Sequence, residues 1–535
     1  MWQQNYTPIA DSIGWSALAA AAPIFVLLYL LGIKRKPAWV AGVSGLVAAI
    51  VVALGVYRMP ADIAFSSITF GAVFGLFPIG WIVYWAIVLY RITVDTGNFE
   101  IIKDSVGGLT DDRRLQALLI AFALGAFIEG AAGFGTPVAV AAAMLTGLGF
   151  SPFYAAGICL IANTAPVAFG SIGIPIITLS TVTGFDQMAL SAWVGRICAP
   201  VSLFIPCYLV MVMGGWRALS GVLPAAVICG IAFAGTQFYV SNYIGPALTD
   251  ILSAIAAIGS LIILFKFWKP SDTFHLEGAT TAKRPQSHGT SATLLAWSPY
   301  LFLVLFVLLW GYPPIKAELN KVSIKIPWAG LHNMVMRIPP GVAKDTPYAA
   351  VYDFAWLSAA GTACLLASLC AMVTLKISIS KYLGILGACA KQLKFSMLTL
   401  ACVLGLAQLM NYSGATATMG LAFAATGVLF PFFSSLLGWL AVFLTGSDTS
   451  ANALFGNLQV ITANRLGLDP VLMASANSAG GVMGKMISLS SIAVAAAATE
   501  MKSEDEAKLF RFTVRHSIFL ASVLGVITFL YSSLK

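Results

Sequence analysis

The sequence predicts an all-α protein that crosses a membrane many times, and three observations support this fold class. Hydrophobic residues make up 59% of the 535-residue chain and charged residues only 10%, whereas about a quarter of a typical soluble domain is charged. The mean hydropathy is +0.89. Apolar runs of about 20 residues, the length that crosses ~30 Å of hydrocarbon as a helix, follow one another along the chain. A membrane β-barrel would instead show alternating segments of about ten residues.

The apolar runs bounded by charged residues predict about twelve crossings. The first run has no Lys or Arg before it and is too long for a signal peptide, so we expect it to be retained. The low-complexity stretch 269–293 is predicted to be a cytoplasmic linker. The crossings are predicted near residues 13–33, 38–57, 70–92, 152–185, 188–213, 220–240, 245–267, 294–311, 353–375, 395–412, 470–499 and 513–533.

The distribution of positive charge predicts the orientation of these crossings. If the N-terminus is external, most of the 30 Lys and Arg residues fall on the cytoplasmic side, as the positive-inside rule requires. The loop 312–352 is an exception, because it is predicted to be external and yet contains several Lys and Arg residues. We therefore expect both termini to lie outside a bacterial-type cytoplasmic (inner) membrane, and we interpret the net charge of +9 as a matter of topology rather than of nucleic-acid binding.

Two further apolar segments, 115–148 and 434–466, are too long for one crossing and too short for two. Each is predicted to be a re-entrant hairpin, because ten to fourteen residues at ~1.5 Å each reach only the middle of the bilayer. Non-helical backbone at that depth must be buried in protein or line a watery cavity. Glycines at 130, 133 and 135 permit a tight turn in the first hairpin. Glycines and prolines also predict that the crossings 152–185 and 470–499 are broken.

The two halves of the chain repeat the same pattern. "FIEGAAGFGTP" aligns with "LTGSDTSANALFGN", which places Glu129 opposite Asp448, and "IANTAPVAFGS" aligns about 30 residues later with "SANSAGGVMGK". The first hairpin is predicted to begin and end inside and the second outside, which indicates an inverted-topology repeat. We expect a first repeat at 1–213, linking helices and the cytoplasmic linker at 214–293, and a second repeat at 294–535.

The carboxylates at the two predicted hairpin tips are the first candidate site residues. An ionisable group at mid-membrane costs at least ~2.5 kcal/mol and is a functional-site candidate. Glu129 and Asp448 are therefore candidate proton carriers. Glu129 is alternatively a cap that binds backbone N–H groups, and Asp448 a fixed charge solvated by Ser447, Thr449 and Ser450.

Lys485 and several polar residues are candidates for binding an anionic substrate. A lone ammonium near a broken helix suits a carboxylate, although an ion pair with Glu129 or Asp448 is the alternative. The side chains near the breaks both donate and accept hydrogen bonds, and half-helix N-termini favour an anion; helix packing is their alternative role. The substrate-binding candidates are Lys485, Asn163, Thr164, Asn477, Ser478, Gly130 and Thr449, with Arg196, Ser171 and Ser447 as further possibilities.

Other kinds of site have little support in the sequence. No Walker loop, HExxH or GxSxG occurs where it could support chemistry, so we expect neither an enzyme nor an ATP-driven pump. The eight cysteines are scattered without a CxxC and are interpreted as small apolar fillers, with no metal site.

The sequence also resembles a known family at these same residues. "GAFIEGAAGFGTPVAV", "TGSDTSANALFGNLQ" and "ANSAGGVMGKMIS" resemble the L-lactate permease family, and the similarity extends over nearly the whole chain. The resemblance implies import of lactate, glycolate and similar small 2-hydroxymonocarboxylates by proton symport, with no cofactor. It implies the lipid bilayer, the substrate anion and protons as partners.

The plan of hairpins and broken helices is further similar to a superfamily of ion transporters that includes dicarboxylate/sodium symporters. This similarity implies an elevator-type fold, in which a hairpin-bearing domain moves against a scaffold, and a homodimer. It also implies horizontal helices at 97–112 and 414–431. The tips here read Glu-Gly-Ala and Asp-Thr-Ser where those symporters carry Asn-Thr, which favours protons over sodium. A sodium-coupled (di)carboxylate carrier is the alternative, and an intramembrane enzyme or sensor is a remote one.

Overall fold

The chain folds into a bundle of helices in a computed structural model that describes residues 1–34, 36–133, 135–272, 274, 286, 288–501 and 503–534. Within these residues, eleven helices are long and apolar enough to cross a membrane, and a twelfth span is formed by a bent pair. The all-α multi-pass membrane fold is therefore confirmed.

Among the described residues, the first half of the chain forms twelve α-helices, three of which are extended by a wider π-helical turn. The rod Arg113–Ala131 contains two short α-helices and the π-helical turn between them, and it is buried from Arg114 onwards. The helices are α1 Ile13–Leu28, α2 Ala38–Val51, α3 Ala61–Phe74, α4 Trp81–Asp95, α5 Asn98–Gly107, α6 Arg113–Gln116, α7 Gly125–Ala131, α8 Thr136–Gly147, α9 Pro152–Ala162, α10 Gly170–Thr183, α11 Gln187–Tyr243 and α12 Thr249–Phe267.

The second half begins after the linker and, in the residues that the structure describes, adds ten α-helices. Two of these helices are short and connect longer ones. The others either span the membrane or belong to the second hairpin and the second broken helix. They are α13 Thr290–Gly311, α14 Pro313–Asn320, α15 Ala360–Thr374, α16 Ile379–Ser413, α17 Ala415–Phe423, α18 Phe430–Thr445, α19 Asp448–Leu466, α20 Pro470–Lys485, α21 Leu489–Ala498 and α22 Ser503–Ser533.

Helix α11 is two antiparallel arms rather than one rod. Gly214 and Gly215 leave the helical region, and Gly215 has a φ of +67°. The arms pack against each other along their length, because Ser191 Oγ donates a hydrogen bond of 2.8 Å to the carbonyl of Ser241. The arms correspond to the crossings predicted at 188–213 and 220–240.

The segment predicted as the first hairpin folds back on itself. The Arg113 guanidinium donates to the carbonyl of Leu148 and lies 5.4 Å from the ring centroid of Phe150, so the two ends of the segment meet. The tip lies between α7 and α8, where Gly133 and Gly135 have φ values of +60° and +81°. Glycine adopts this left-handed region without strain. The depth of this tip in a bilayer stays a prediction.

The segment predicted as the second hairpin is formed by α18 and α19. Its tip is Gly446, whose φ is +73°. Gln459 Nε2 donates to the carbonyl of Ser434 over 3.2 Å, which holds the open ends together. Helix α20 then packs against α18 so closely that a Cβ at Gly438 would overlap the backbone of Asn477.

Both helices predicted to be broken are broken. Helices α9 and α10 meet at 62°, and at this break Ser171 and Ile172 have φ values of +47° and +61°. A β-branched residue in this region is strained, so the surrounding packing must hold the turn in place. In the second half, α20 ends at Lys485 and α21 begins after Ser488, whose Oγ accepts from the Ser491 N–H over 3.2 Å. The inverted relation of the halves and their boundaries at 213 and 293 stay predictions.

The short helices α5 and α17 lie where horizontal helices are expected. Each follows a left-handed glycine, Gly97 at +77° and Gly414 at +88°. Some predicted crossings differ in extent: the one at 70–92 belongs to Ala61–Asp95, which is interrupted at Gly75–Gly80, and the one at 395–412 is part of the longer α16.

The described part of the chain also contains five short strands, which were not predicted. The crossing expected at 353–375 is shortened to α15 because residues before it form a strand. Trp2–Gln3 pairs with Val335–Arg337, so the N-terminus and the loop 312–352 lie on the same side of the bundle, as the predicted topology requires. The strands are β1 Trp2–Gln3, β2 Ile324–Pro327, β3 Val335–Arg337, β4 Thr346–Pro347 and β5 Val351–Phe354, in the sheets β1-β3-β4 and β2-β5.

The beginning of the predicted linker is tied to the first hairpin by a buried arginine. Most of residues 273–287 lie outside the described residues. Arg114, which is completely buried, pairs with Asp112 at 2.7 Å and with Asp272 at 2.8 Å. The hydrogen bond from Arg114 holds the pKa of Asp272 below its usual range.

We expect Arg114→Gln to lower the free energy of unfolding by about 2 kcal/mol. This is less than the ~3–5 kcal/mol of a fully buried pair, because the Asp272 side chain is 46% exposed. Thermal melting in detergent measures the effect. Since the pKa of Asp272 is lowered in the folded state, its contribution is present at neutral pH and lost as the pH falls through its folded pKa. Arg91→Gln, at the exposed pair with Asp95, is the control; an equal effect of both changes contradicts the prediction.

Candidate functional site

The two hairpin tips and the two helix breaks converge on one cavity. It has a volume of about 200 Å³, the space of about seven water molecules at ~30 Å³ each, which suits a small anion. Its walls come from α7, the break between α9 and α10, the second tip, and the break between α20 and α21. The polar side chains on these walls are Glu129, Ser171, Ser447, Asp448, Thr449, Lys485, Ser490 and Ser491.

Glu129 lies at the end of the first hairpin's inner arm and is 5% exposed. Its Oε1 fits against two glycines: a Cβ at Gly170 would lie 2.6 Å from it and one at Gly133 3.5 Å. Its Oε2 is buried without a hydrogen-bond partner. Among the described residues no backbone N–H donates to this carboxylate, so the capping alternative has no support from them.

Ser171 fastens the first break to the first tip. Its Oγ donates to the carbonyl of Ala132 over 2.9 Å, and its side chain fills the space where a Cβ at Gly133 would lie. The left-handed backbone at Ser171 is what directs its hydroxyl to the tip. The Ser171 hydroxyl therefore holds the first tip in place next to Glu129, and another face of Ser171 lines the cavity.

Asp448 is held by a network of buried side chains. Its Oδ2 accepts from Ser478 Oγ at 2.6 Å and from Asn452 Nδ2 at 3.3 Å. Asn452 Oδ1 accepts from Asn477 Nδ2 at 3.0 Å, and Asn477 Oδ1 accepts from Gln459 Nε2 at 3.1 Å. Within this network, Oδ1 of Asp448 and Oε1 of Gln459 are buried without a partner. Asn477 and Ser478 thus position Asp448 from behind and do not line the cavity.

Lys485 lies at the end of α20 and bridges the two tips. Its Nζ donates to the carbonyl of Gly446 at the second tip over 2.6 Å. It interacts electrostatically with Glu129 and Asp448, yet it forms no salt bridge with any described carboxylate. One partly buried ammonium thus serves two buried carboxylates, and its remaining N–H donors are available to bind an anion.

Besides Asn477 and Ser478, four further candidate residues lie outside the cavity wall. Asn163 is at the first break, with both polar side-chain atoms buried and unpartnered, and Thr164 donates to the carbonyl of Ile161 over 2.7 Å. Gly130 faces α12, where a Cβ would lie 2.7 Å from the Cβ of Asp250. Arg196 lies between the arms of α11, with its Nε 2.9 Å from Asn242 Oδ1.

Sequence reasoning missed Asn452, Ser490, Ser491 and Asp250. Asn452 follows Asp448 by four residues and so shares its helix face, a signal that was available. Asp250 lies inside a predicted crossing. An ionisable group at membrane depth is the same signal that identified Glu129. The serines offer no such signal, since their position depends on where α21 begins.

The described residues contain no group of three or more His, Cys, Asp or Glu side chains that could hold a metal ion. The eight cysteines are all free thiols, and most are buried. The chemistry of the cavity is that of one ammonium, two carboxylates and several hydroxyls.

A bundle of membrane-spanning helices with a small charged cavity between two chain reversals and two helix breaks is the arrangement of a membrane transporter. The family model of L-lactate permease matches residues 16–535. The chain belongs to the L-lactate permease family.

Relatives cover the chain almost from end to end. It is 47% identical to the L-lactate permease of Bacillus subtilis (strain 168), over 99% of this chain and 98% of the relative. It is 45% identical to the glycolate permease GlcA of Escherichia coli (strain K12) and 44% identical to the L-lactate permease of the same strain, each over 99% of this chain and 98% of the relative.

Among solved structures, the YdaH transporter of Alcanivorax borkumensis is similar with a TM-score of 0.46 and 12% identity, over 97% of both chains. MtrF of Neisseria gonorrhoeae, an antimetabolite efflux pump, is similar with a TM-score of 0.47 and 12% identity, over 94% of this chain and 97% of that one. These scores are too low to support any statement about mechanism.

We expect Ser490→Cys to be modified by a small, charged, water-soluble thiol reagent and Ser478→Cys to remain unmodified. Ser490 is exposed on the cavity wall, whereas Ser478 is completely buried behind Asp448. The two partly exposed native cysteines, Cys207 and Cys370, are first replaced by serine. Equal modification of both introduced cysteines, measured by mass spectrometry, contradicts this description of the cavity.

Proposed function

We propose that the protein imports L-lactate, glycolate and related small 2-hydroxymonocarboxylates together with protons. The observation that carries the proposal is the cavity in which Lys485 lies near two buried carboxylates, each with an oxygen that lacks a partner. The names of the relatives, lactate permeases and a glycolate permease, supply the substrate class.

The charge balance of the cavity explains why transport would be coupled to protons. With Glu129 and Asp448 ionised and Lys485 protonated, the cavity carries one net negative charge and repels an anion. A proton on one carboxylate leaves a neutral cavity, so that the substrate anion can pair with the ammonium. Because charge in a low-dielectric site is costly, the fully loaded carrier contains less unpaired charge than one loaded with the anion alone.

The hydrogen bonds favour Glu129 over Asp448 as the proton carrier. Asp448 accepts two hydrogen bonds from side chains, and such bonds stabilise the ionised form of a carboxylate. Glu129 packs against Gly133 and Gly170, has one oxygen unpartnered, and has only Asn163 as a side-chain hydrogen-bonding neighbour. In this proposal Asp448 is the fixed negative charge that keeps Lys485 protonated, and Glu129 gains and loses the proton.

The substrate carboxylate would bind Lys485 and the helix N-termini at the cavity. Helix α19 begins at Asp448 and α21 at Leu489, and the serine caps of both leave backbone N–H groups near the wall. Helix N-termini favour anions. Asn163 and Asn477, which the sequence suggested as substrate-binding residues, lie behind the cavity wall. The hydroxyls of Thr449, Ser490 and Ser491 are available to bind the substrate hydroxyl.

The remaining parts of the proposal concern movement and setting. We propose that the hairpins are re-entrant and that the halves, 1–213 and 294–535, form an inverted repeat joined by 214–293. The hairpin-bearing part would move against the other helices as an elevator, in a homodimer within the bacterial inner membrane with both termini outside. The convergence of both tips on one cavity supports this arrangement, since the two hairpins would then carry the substrate as a unit.

In proteoliposomes, we expect an inward pH gradient to drive accumulation of labelled L-lactate and a sodium gradient at constant pH to drive none. The reason is that protonation, rather than a bound metal ion, neutralises the cavity. Liposomes without protein and an ionophore that collapses the pH gradient are the controls. Uptake that needs sodium and ignores the pH gradient would instead support the sodium-coupled carrier.

Replacing Lys485 with Met should weaken L-lactate binding by about 10- to 100-fold, the effect of losing a hydrogen bond of ~1.5–3 kcal/mol from a charged donor. The change removes the ammonium and keeps most of the side-chain volume. Calorimetric titration of the detergent-solubilised protein measures it, with Lys321→Met, an exposed lysine, as the control. Wild-type affinity in the Lys485 variant would assign the lysine a structural role only.

A further inference from the structure

A third carboxylate, Asp250, is buried next to the proposed proton carrier but outside the cavity wall. It lies in the first turn of α12 and is 1% exposed. Both of its carboxylate oxygens are buried and have no hydrogen-bond partner. Burying an ionised carboxylate without a partner costs so much that such a group takes up a proton instead.

Gly130 brings Asp250 close to Glu129. A Cβ at Gly130 would lie 2.7 Å from the Cβ of Asp250 and 3.1 Å from the backbone nitrogen of Ile251, so only glycine allows α12 to approach α7 this closely. Gly130 is the neighbour of Glu129 in the chain, and the two carboxylates interact electrostatically. The contact between α7 and α12 therefore places Asp250 behind Glu129.

Other unpartnered polar atoms surround the same break. Asn163 has a buried side-chain amide without a hydrogen bond of good geometry, and it interacts with the Glu129 carboxylate. Gln237, on the second arm of α11, donates from Nε2 to the carbonyl of Ala165 over 3.0 Å and leaves Oε1 without a partner. Side-chain amides, which both donate and accept hydrogen bonds, therefore lie at the same break as Glu129.

The titratable groups that face Asp250 from the packed helices are Glu129 on α7 and Cys198 on α11. Lys485 acts on Glu129 from the other side, across the cavity. Since a carboxylic acid is a far better proton donor than a thiol near neutral pH, Glu129 is the group with which Asp250 can exchange a proton.

We propose that Asp250 is a second proton-binding residue of the transport cycle and exchanges its proton with Glu129. The inference rests on the proposed proton-coupled function. A proton leaves an Oδ of Asp250 and binds an Oε of Glu129, and Asp250 is then ionised until it takes up another proton from water. No other bond forms or breaks. Asp250 does not touch the substrate cavity, so it acts through Glu129.

The test compares two kinds of transport in proteoliposomes that contain Asp250→Asn. Accumulation driven by a pH gradient requires protons to be taken up and released, whereas exchange of internal for external L-lactate does not require their net movement. We expect Asp250→Asn to reduce driven accumulation by about tenfold or more, within the range of proton-transfer residues. Exchange should remain within about twofold of the wild type, and the pH profile of driven uptake should shift.

Ser253→Ala is the matched control. Ser253 lies on the same helix, is completely buried and donates to the carbonyl of Thr249 over 2.6 Å. We expect it to change neither kind of transport by more than about twofold, since its hydroxyl serves only the helix. Equal loss of exchange and accumulation in a normally folded Asp250→Asn, as judged by thermal melting, would assign Asp250 a structural role and overturn the inference.

Two further outcomes separate this inference from the proposed function. A wild type that does not respond to a pH gradient overturns both, whereas a responsive wild type with an unaffected Asp250→Asn overturns this inference alone. If Asp250→Asn does not fold, the wild type is treated with an apolar carbodiimide, which reacts with protonated carboxyl groups in apolar surroundings. Modification of Asp250 that decreases as the pH rises supports the inference, and an unmodified Asp250 at every pH overturns it.

Discussion

The structure depends on a mismatch of buried charge: one ammonium, that of Lys485, serves the two carboxylates of Glu129 and Asp448. Elsewhere in the bundle, buried polar groups are mostly satisfied by hydrogen bonds, as physics requires in an apolar setting. At the cavity, an oxygen of each carboxylate is left free. A site whose polar atoms lack some hydrogen-bond partners can accept a proton or an anion. A site whose polar atoms all have partners would only stabilise the fold.

The backbone makes this mismatch possible. Left-handed residues at both hairpin tips and at the first break turn the chain where a regular helix would continue. The close packing of glycines then brings α7 against α12 and α18 against α20. The two carboxylates differ in how firmly they are held. An extended network of amides and hydroxyls binds Asp448, whereas few hydrogen bonds surround Glu129. This difference underlies the separate roles proposed for a fixed charge and a titrating one.

The fold class and the positions where the chain turns back or a helix is interrupted were predictable because run length, charge and glycine or proline spacing act locally. The strands near residues 324–354 were not, since each has only two to four residues and pairs with distant partners, including the N-terminus. The cavity's charged residues could be found from the cost of burying charge. The orientations of Thr164, Asn477 and Arg196 could not, because the direction of a polar side chain depends on neighbours that sequence order does not reveal.

The central claim is that an anion enters the cavity only with a proton, and the number of protons bound with each L-lactate tests it most directly. Calorimetric titration of the detergent-solubilised protein in buffers of different ionisation enthalpy gives this number, without a membrane or a gradient. At a pH where the empty cavity is ionised, the account predicts uptake of about one proton per L-lactate bound, the charge that neutralises one carboxylate. A heat of binding that is identical in all buffers, with no proton taken up at any pH, would contradict it.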